Sequence, residues 1–180
     1  MTLPVEARGL AKSYGSFRAV DGISFDVREG ECFGMLGPNG AGKSTTIKMI
    51  SCTSPVTGGE LRVAGYDVRT GARTGKSRLG IVPQEDNLDE DLPVRQNLEV
   101  YARYFGIPAK EAAAGIDESL ALFQLEEKAN ANVNDLSGGM KRRLVIARSL
   151  VHSPNFLVLD EPTTGLDPQA RHLVWQKLRL

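Results

Sequence analysis

Gly37-Pro38-Asn39-Gly40-Ala41-Gly42-Lys43-Ser44 reads G-x-x-x-x-G-K-S, the phosphate-binding loop known as Walker A. Glycines at 37, 40 and 42 admit positive φ angles and let the backbone come close to a ligand. Successive N–H groups can then converge on one anion, with the positive end of a following helix behind them. Lys43 brings a mobile charge to the outer phosphates, and the Ser44 hydroxyl suits a magnesium ion. The rival reading is a glycine-rich turn that only joins a strand to a helix. The flanks speak against it. Residues 31–36 (Glu-Cys-Phe-Gly-Met-Leu) read as a short buried strand and residues 45–50 as helix, the context that the motif needs.

The bulk properties fit a single soluble α/β domain. Lys plus Arg and Asp plus Glu number 22 each in 180 residues, so no global field draws the chain toward nucleic acid or a membrane surface. Hydrophobic residues make up 41%, enough for a core. No apolar run approaches the ~18 residues of a membrane span, and the first residues carry no signal-peptide core. Cys32 and Cys52 lack metal-ligand spacing and read as buried thiols. A cytosolic protein is the simplest account.

Working outward from the loop, the first third is strand-like. Residues 5–10 open it, and Ile23, Phe25 and Val27 alternate with polar residues as in a half-buried strand. Residues 60–63 and 79–82 read as further strands, the last ending at Pro83-Gln84. In the middle third Pro93 marks a helix start, and Val94, Leu98, Tyr101 and Phe105 recur at helical spacing. After Pro108, a second helix carries Ile116, Leu120 and Phe123, and residues 130–134 read as a polar loop. Residues 140–151 read as helix, residues 156–159 as a fully apolar strand, and Pro168 opens a final helix. The pattern is an α/β core, about 1–84 and 153–180, interrupted by a helical insert with its following helix, about 85–152. No glycine, asparagine or proline closes the last helix before Leu180, the mark of a chain cut short.

Two further groups carry chemistry. Asp160 and Glu161 follow four apolar residues, and a buried acid there is costly unless compensated. In parallel α/β sheets ligands bind at the carboxyl ends of strands, so Asp160 and the phosphate loop can share one edge. Asp160 would hold magnesium and Glu161 would polarise an attacking water, the Walker B pattern; an exposed acidic turn is the plainer alternative. Between the two motifs lies Leu136-Ser137-Gly138-Gly139-Met140, followed by Lys141-Arg142-Arg143. Ser-Gly-Gly before a helix makes a second anion site. Three cations in a first helical turn oppose the dipole, at about 0.3–1 kcal/mol each, which an anionic ligand would offset. Taken alone they read better as a solvated basic face. Two anion sites need two phosphate ligands, or two chains sharing them.

In this order, Tyr14, residues 37–45, Gln84, residues 136–140, residues 156–161 and Gly165-Leu166-Asp167-Pro168 resemble the nucleotide-binding domain of ABC transporters over essentially the whole chain. The Leu-Ser-Gly-Gly signature is the most family-specific part. The resemblance implies a P-loop NTPase core with an antiparallel β subdomain and a helical insert. It implies ATP and Mg2+ as cofactors. The nucleotide would lie on Gly37, Pro38, Asn39, Gly40, Ala41, Gly42, Lys43, Ser44 and Thr45, with Tyr14 stacked on adenine. Ser44, Gln84 and Asp160 would hold the metal, and Glu161, Lys43 and Gln84 would serve catalysis. Leu136, Ser137, Gly138, Gly139 and Met140 would face ATP bound to a second copy of the domain in a head-to-tail dimer, with Asp167 as the D-loop acid at that interface. The other partners implied are membrane-spanning transporter subunits, with no nucleic acid, at the cytoplasmic face of the cell membrane.

Met140 stands where the commonest signature has glutamine, and Leu-Ser-Gly-Gly-Met-Lys-Arg-Arg is similar to exporters of drugs, polysaccharides and nodulation lipo-oligosaccharides. The family's switch histidine would fall beyond residue 180, and His152 and His172 read as surface or packing residues. The implied function is the ATP-hydrolysing subunit of an exporter. The alternatives are a soluble ABC ATPase of repair or translation, or a nucleotide-binding module with little turnover. A P-loop GTPase would need Asn-Lys-x-Asp, and no asparagine here precedes lysine.

Overall fold

Two long strands, β1 (Val5–Tyr14) and β2 (Phe17–Val27), form an antiparallel hairpin in the computed structural model, which describes residues 3–163, 166 and 168–178. β3 (Gly58–Val63) pairs with the other edge of β1, and β4 (Tyr66–Asp67) extends the sheet to the order β2-β1-β3-β4. Val5 and Ala7 in β1 and Leu61 and Val63 in β3 are buried in alternation, and Leu10 is buried beyond a register shift that follows Ala7. β1 runs four residues past the expected end. Its extension contains a buried lysine, Lys12, whose Nζ donates to Pro55 O at 2.6 Å; a hydrophobic pattern cannot register a lysine satisfied in this way. Helix α1 (Lys43–Ile50) follows the phosphate loop and buries Met49 and Ile50. A short helix, α2 (Ala72–Lys76), closes this part of the chain.

Residues 31–36 are not a strand. Leu36 is 97% exposed, and Phe33 lays its ring on Phe25 with centroids 5.2 Å apart. A strand exists only where a ladder partner does. Among the described residues the two sheets take up β1–β4 and β5–β6, leaving this apolar segment unpaired. Cys32 is therefore exposed, and Cys52 is half-buried, rather than both lying in the core.

The chain divides into two compact units, Met1–Leu79 and Gly80–Leu180. In the second, β5 (Leu79–Val82) pairs with β6 (Phe156–Leu159), both as expected; α3 (Val94–Tyr104) and α4 (Ala109–Leu122) follow the expected periodicity, and α5 (Gly138–Leu150) and α6 (Pro168–Leu178) are helices where the sequence reads helix. Their apolar stripes meet in one core around Leu98, Ile116, Leu120, Phe123, Leu144 and Ile146. The polar stretch at 130–134 does more than loop. Asn132 accepts from Asn134 N at 2.8 Å and starts a 3-10 turn, Val133–Asp135, with Val133 fully buried. α3 has no side-chain cap, and the carbonyls of Ala131 and Ala129 take up the N–H groups of Val94 and Arg95 at 3.0 and 2.9 Å. Asn97 fastens the preceding loop by donating to Asp89 O and accepting from Asp89 N.

Candidate nucleotide-binding and hydrolysis site

The phosphate loop is built against the hairpin. Gly42 is the N-cap of α1 in the left-handed conformation, φ 87°, and a Cβ there would lie 2.5 Å from Ala19 O of β2. Only glycine satisfies both conditions without displacement. Its carbonyl accepts from Thr46 N and Thr46 Oγ1, each at 2.9 Å, which pins the first turn of α1. Upstream, Ala41 N donates to Pro38 O at 3.2 Å. The Lys43 ammonium folds back over the loop, donating to Gly37 O at 2.7 Å and Pro38 O at 2.8 Å. A positive charge is thus held at the mouth of the exposed loop, and no acidic residue stands in the first turn of α1 to compete for it. Tyr14 ends β1 with half its surface exposed; Lys12 Nζ lies 4.8 Å from its ring centroid, and its hydroxyl is 3.4 Å from Ser54 Oγ.

Within the second unit the ends of β5 and β6 meet, Asp160 N donating to Val82 O at 2.9 Å. Gln84 follows β5 by two residues, and Asp160 and Glu161 follow β6 directly, so the three acquire a common sheet edge. Asp160 is buried and Glu161 exposed, and the Glu161 backbone is left-handed with φ 47°. For a side chain other than glycine that conformation is costly and persists only where surrounding contacts enforce it. The signature residues sit at the start of α5. Leu136 is buried as an anchor, while Ser137 and Gly138 are exposed, and Ser137 Oγ caps the helix by accepting from Met140 N at 3.3 Å. Asp167 lies outside the described residues. His152 stacks on Phe105 with centroids 3.7 Å apart and His172 is exposed, matching their packing and surface readings.

The basic run after the signature is not a solvated face. α5 begins at Gly138, two residues earlier than the spacing suggested, so Lys141, Arg142 and Arg143 stand beyond the turn where the dipole opposes them most. Arg142 is only 3% exposed. Its Nε donates to Pro162 O at 2.9 Å, Nη1 to Pro83 O at 2.6 Å and Gln84 O at 3.2 Å, and Nη2 to Asp160 O at 3.2 Å and Glu161 O at 3.1 Å. Asp86 Oδ1 lies 3.4 Å from Nη1 and supplies a countercharge. Arg143 Nη1 donates to Phe123 O, and Lys141 approaches Glu90 at 3.9 Å. Backbone carbonyls and carboxylates therefore compensate these cations, where the sequence reads better as a solvated basic face. The signal was present in the spacing, since Arg142, Val145, Ile146 and Ser149 fall on one buried stripe of α5.

With this geometry in place, comparison with known proteins decides the family. The family described as ABC transporter matches residues 20–164. The chain belongs to the ABC transporter family. A Nod factor export ATP-binding protein I of Paraburkholderia xenovorans (strain LB400) is 53% identical over 175 residues, covering 97% of this chain and 58% of that protein. The protein of the same name from Rhizobium meliloti (strain 1021) is 53% identical over 179 residues, covering 99% of this chain and 53% of the relative. The chain thus spans little more than half the length of the curated relatives it matches. An ATP-binding subunit of an ABC transporter has a similar structure, with a TM-score of 0.88 at 30% identity, covering 99% of this chain and 74% of that one. An ATP-binding cassette solved as a dimer in a post-hydrolysis state with ADP and Pi gives 0.87 at 28% identity, covering 97% and 81%. The expected fold, a P-loop ATPase with an antiparallel sheet and a helical part, is that of these ABC relatives. Among the described residues no helix is long and apolar enough to cross a membrane.

Proposed function

We propose that this chain binds ATP with magnesium and hydrolyses it as the motor subunit of an exporter, closing head-to-tail on a second copy of the domain and driving membrane-spanning subunits from the cytoplasmic face. The observation that carries this is the gathering of Gln84, Asp160 and Glu161 at the joined ends of β5 and β6, in a chain that also carries the phosphate loop. Lys43 would leave the carbonyls of Gly37 and Pro38 for the outer phosphates of ATP, and Tyr14 would take the adenine on its exposed ring face.

The donor set suits magnesium. Among the described residues no cluster of three or more His, Cys, Asp or Glu could hold a metal alone. Magnesium keeps most of its shell in water and phosphate oxygens, so it would need only a few protein donors, for which the Ser44 hydroxyl, Gln84 and the buried carboxylate Asp160 are the candidates. Bound there it would neutralise charge on the transferring phosphoryl group. Glu161 would orient and deprotonate the attacking water. Residues 137–139 would meet the terminal phosphate held by the partner copy, and Asp167 would stand at that interface. The relatives are named for Nod factor export, which supports the exporter reading; choice of cargo would belong to the membrane subunits.

The test is Glu161→Gln in the full-length protein. ATP should still bind, with turnover falling about 10²–10⁴-fold, the usual contribution of a positioned base. Brisk hydrolysis by that variant would remove Glu161 from the role.

A further inference from the structure

Arg142 is a buried cation tied to three separate segments, and the basic-face reading gives it no task. Its own backbone belongs to α5, the helix that the signature residues open. Nη1 holds the carbonyls of Pro83 and Gln84 just after β5. Nη2 holds the carbonyls of Asp160 and Glu161, and Nε that of Pro162, just after β6. A guanidinium presents five N–H donors in a rigid planar fork, and here all three nitrogens are engaged. Lysine offers three donors from one point on a flexible stem and cannot span the same set.

The grip falls on a residue whose backbone needs holding. Glu161 sits at φ 47°, and its own carbonyl together with those of its two neighbours accepts from Arg142. We infer that Arg142 is a positioning residue for hydrolysis: it holds the Glu161 peptide in its left-handed conformation and fixes it to the Gln84 segment, so the carboxylate and the metal-contacting amide keep one register. This rests on Glu161 being the base, as proposed above. Arg142 does not touch the reacting atoms, and its influence passes through three consecutive carbonyls. Because the same side chain is rooted in α5, a shift of the signature helix or of the Gln84 segment is transmitted to Glu161.

The experiment compares Arg142→Lys, Arg142→Ala and Glu161→Gln in the full-length protein, measuring ATP affinity, kcat, KM and melting temperature for each. Arg142→Lys keeps the charge and loses the fork. Its kcat should fall by about 10²-fold, the scale expected when a reacting group is misplaced by an ångström, with KM and ATP affinity close to wild type even though the lost hydrogen bonds lower the melting temperature. Guanidinium ion, at concentrations too low to denature, should restore part of the activity of Arg142→Ala, and ammonium ion should not. Added to Glu161→Gln, Arg142→Lys should cost nothing more, because both act through one group. If Glu161→Gln is inactive while Arg142→Lys turns over like wild type, this inference fails and the assignment of Glu161 stands. If activity and ATP affinity of Arg142→Lys fall together, the arginine is only structural and the inference fails. If Glu161→Gln hydrolyses briskly, the assignment of the base fails and takes this inference with it.

Discussion

Replacing Gly40 and Gly42 separately by alanine isolates what the hairpin contributes to the phosphate loop. Both residues are left-handed, with φ of 81° and 87°. An L side chain in that region costs about 1–2 kcal/mol. Alanine also restricts the unfolded chain, returning about 0.4–1 kcal/mol, so the net backbone cost is close to 1 kcal/mol at each position. At Gly40 nothing lies within 4 Å of the added methyl, and that cost is the whole effect. At Gly42 the methyl would stand 2.5 Å from Ala19 O and 3.1 Å from Val20 Cγ2. Neither the β2 backbone nor the loop can yield cheaply, and overpacking of this kind adds about 1–3 kcal/mol. For a chain of this size each kcal/mol moves the melting temperature by about 2–4 °C, so Gly42→Ala should melt roughly 2–12 °C below Gly40→Ala. Thermal melting without nucleotide, followed by calorimetric titration with ATP, reads both consequences. Gly42→Ala should also bind ATP more weakly, because the displaced turn carries the N–H groups that would meet phosphate in the proposed site. Equal melting temperatures for the two variants would refute the close approach of loop and hairpin.

Two further perturbations test the parts that support the site. Asn97→Ala strips Asp89 N of its acceptor and Asp89 O, Leu92 O and Pro93 O of a shared donor; urea unfolding should show a loss of about 1–3 kcal/mol, the cost of unpaired buried groups. On the exposed face of the hairpin, Asp26 is held below the ordinary carboxylate pKa of 3.8 by its hydrogen bond from Arg8. The pair's contribution is present above pH 3.8 and is lost as pH falls through the lower folded value. The stability difference between wild type and Asp26→Asn should therefore shrink to nothing in acid; a difference independent of pH would refute the pairing.

What could be read in the sequence was local. Residues 37–44 declare themselves because the chemistry needs those residue types at that spacing, and helices α3 and α4 because their buried positions recur every third or fourth residue. What could not be read depends on partners distant in the chain. Residues 31–36 carry the apolar content of a strand, but pairing decides, and none of the described strands pairs with them. Lys12 and Arg142 are charged residues in buried places, made tolerable by carbonyls 43 residues away in one case and as far as 59 in the other. Composition counts such residues as surface. The helical stripe that contains Arg142 was the available clue, overridden by the two cations beside it.

ATP titration by calorimetry of wild type against Lys43→Ala tests the central claim most directly. The Lys43 ammonium is the charge held at the mouth of the loop, and a charge-assisted hydrogen bond of this kind contributes about 1.5–3 kcal/mol. Wild type should bind ATP saturably, and Lys43→Ala should bind it roughly 10–150-fold more weakly. Equal affinities would contradict the assignment of residues 37–44 as the phosphate site.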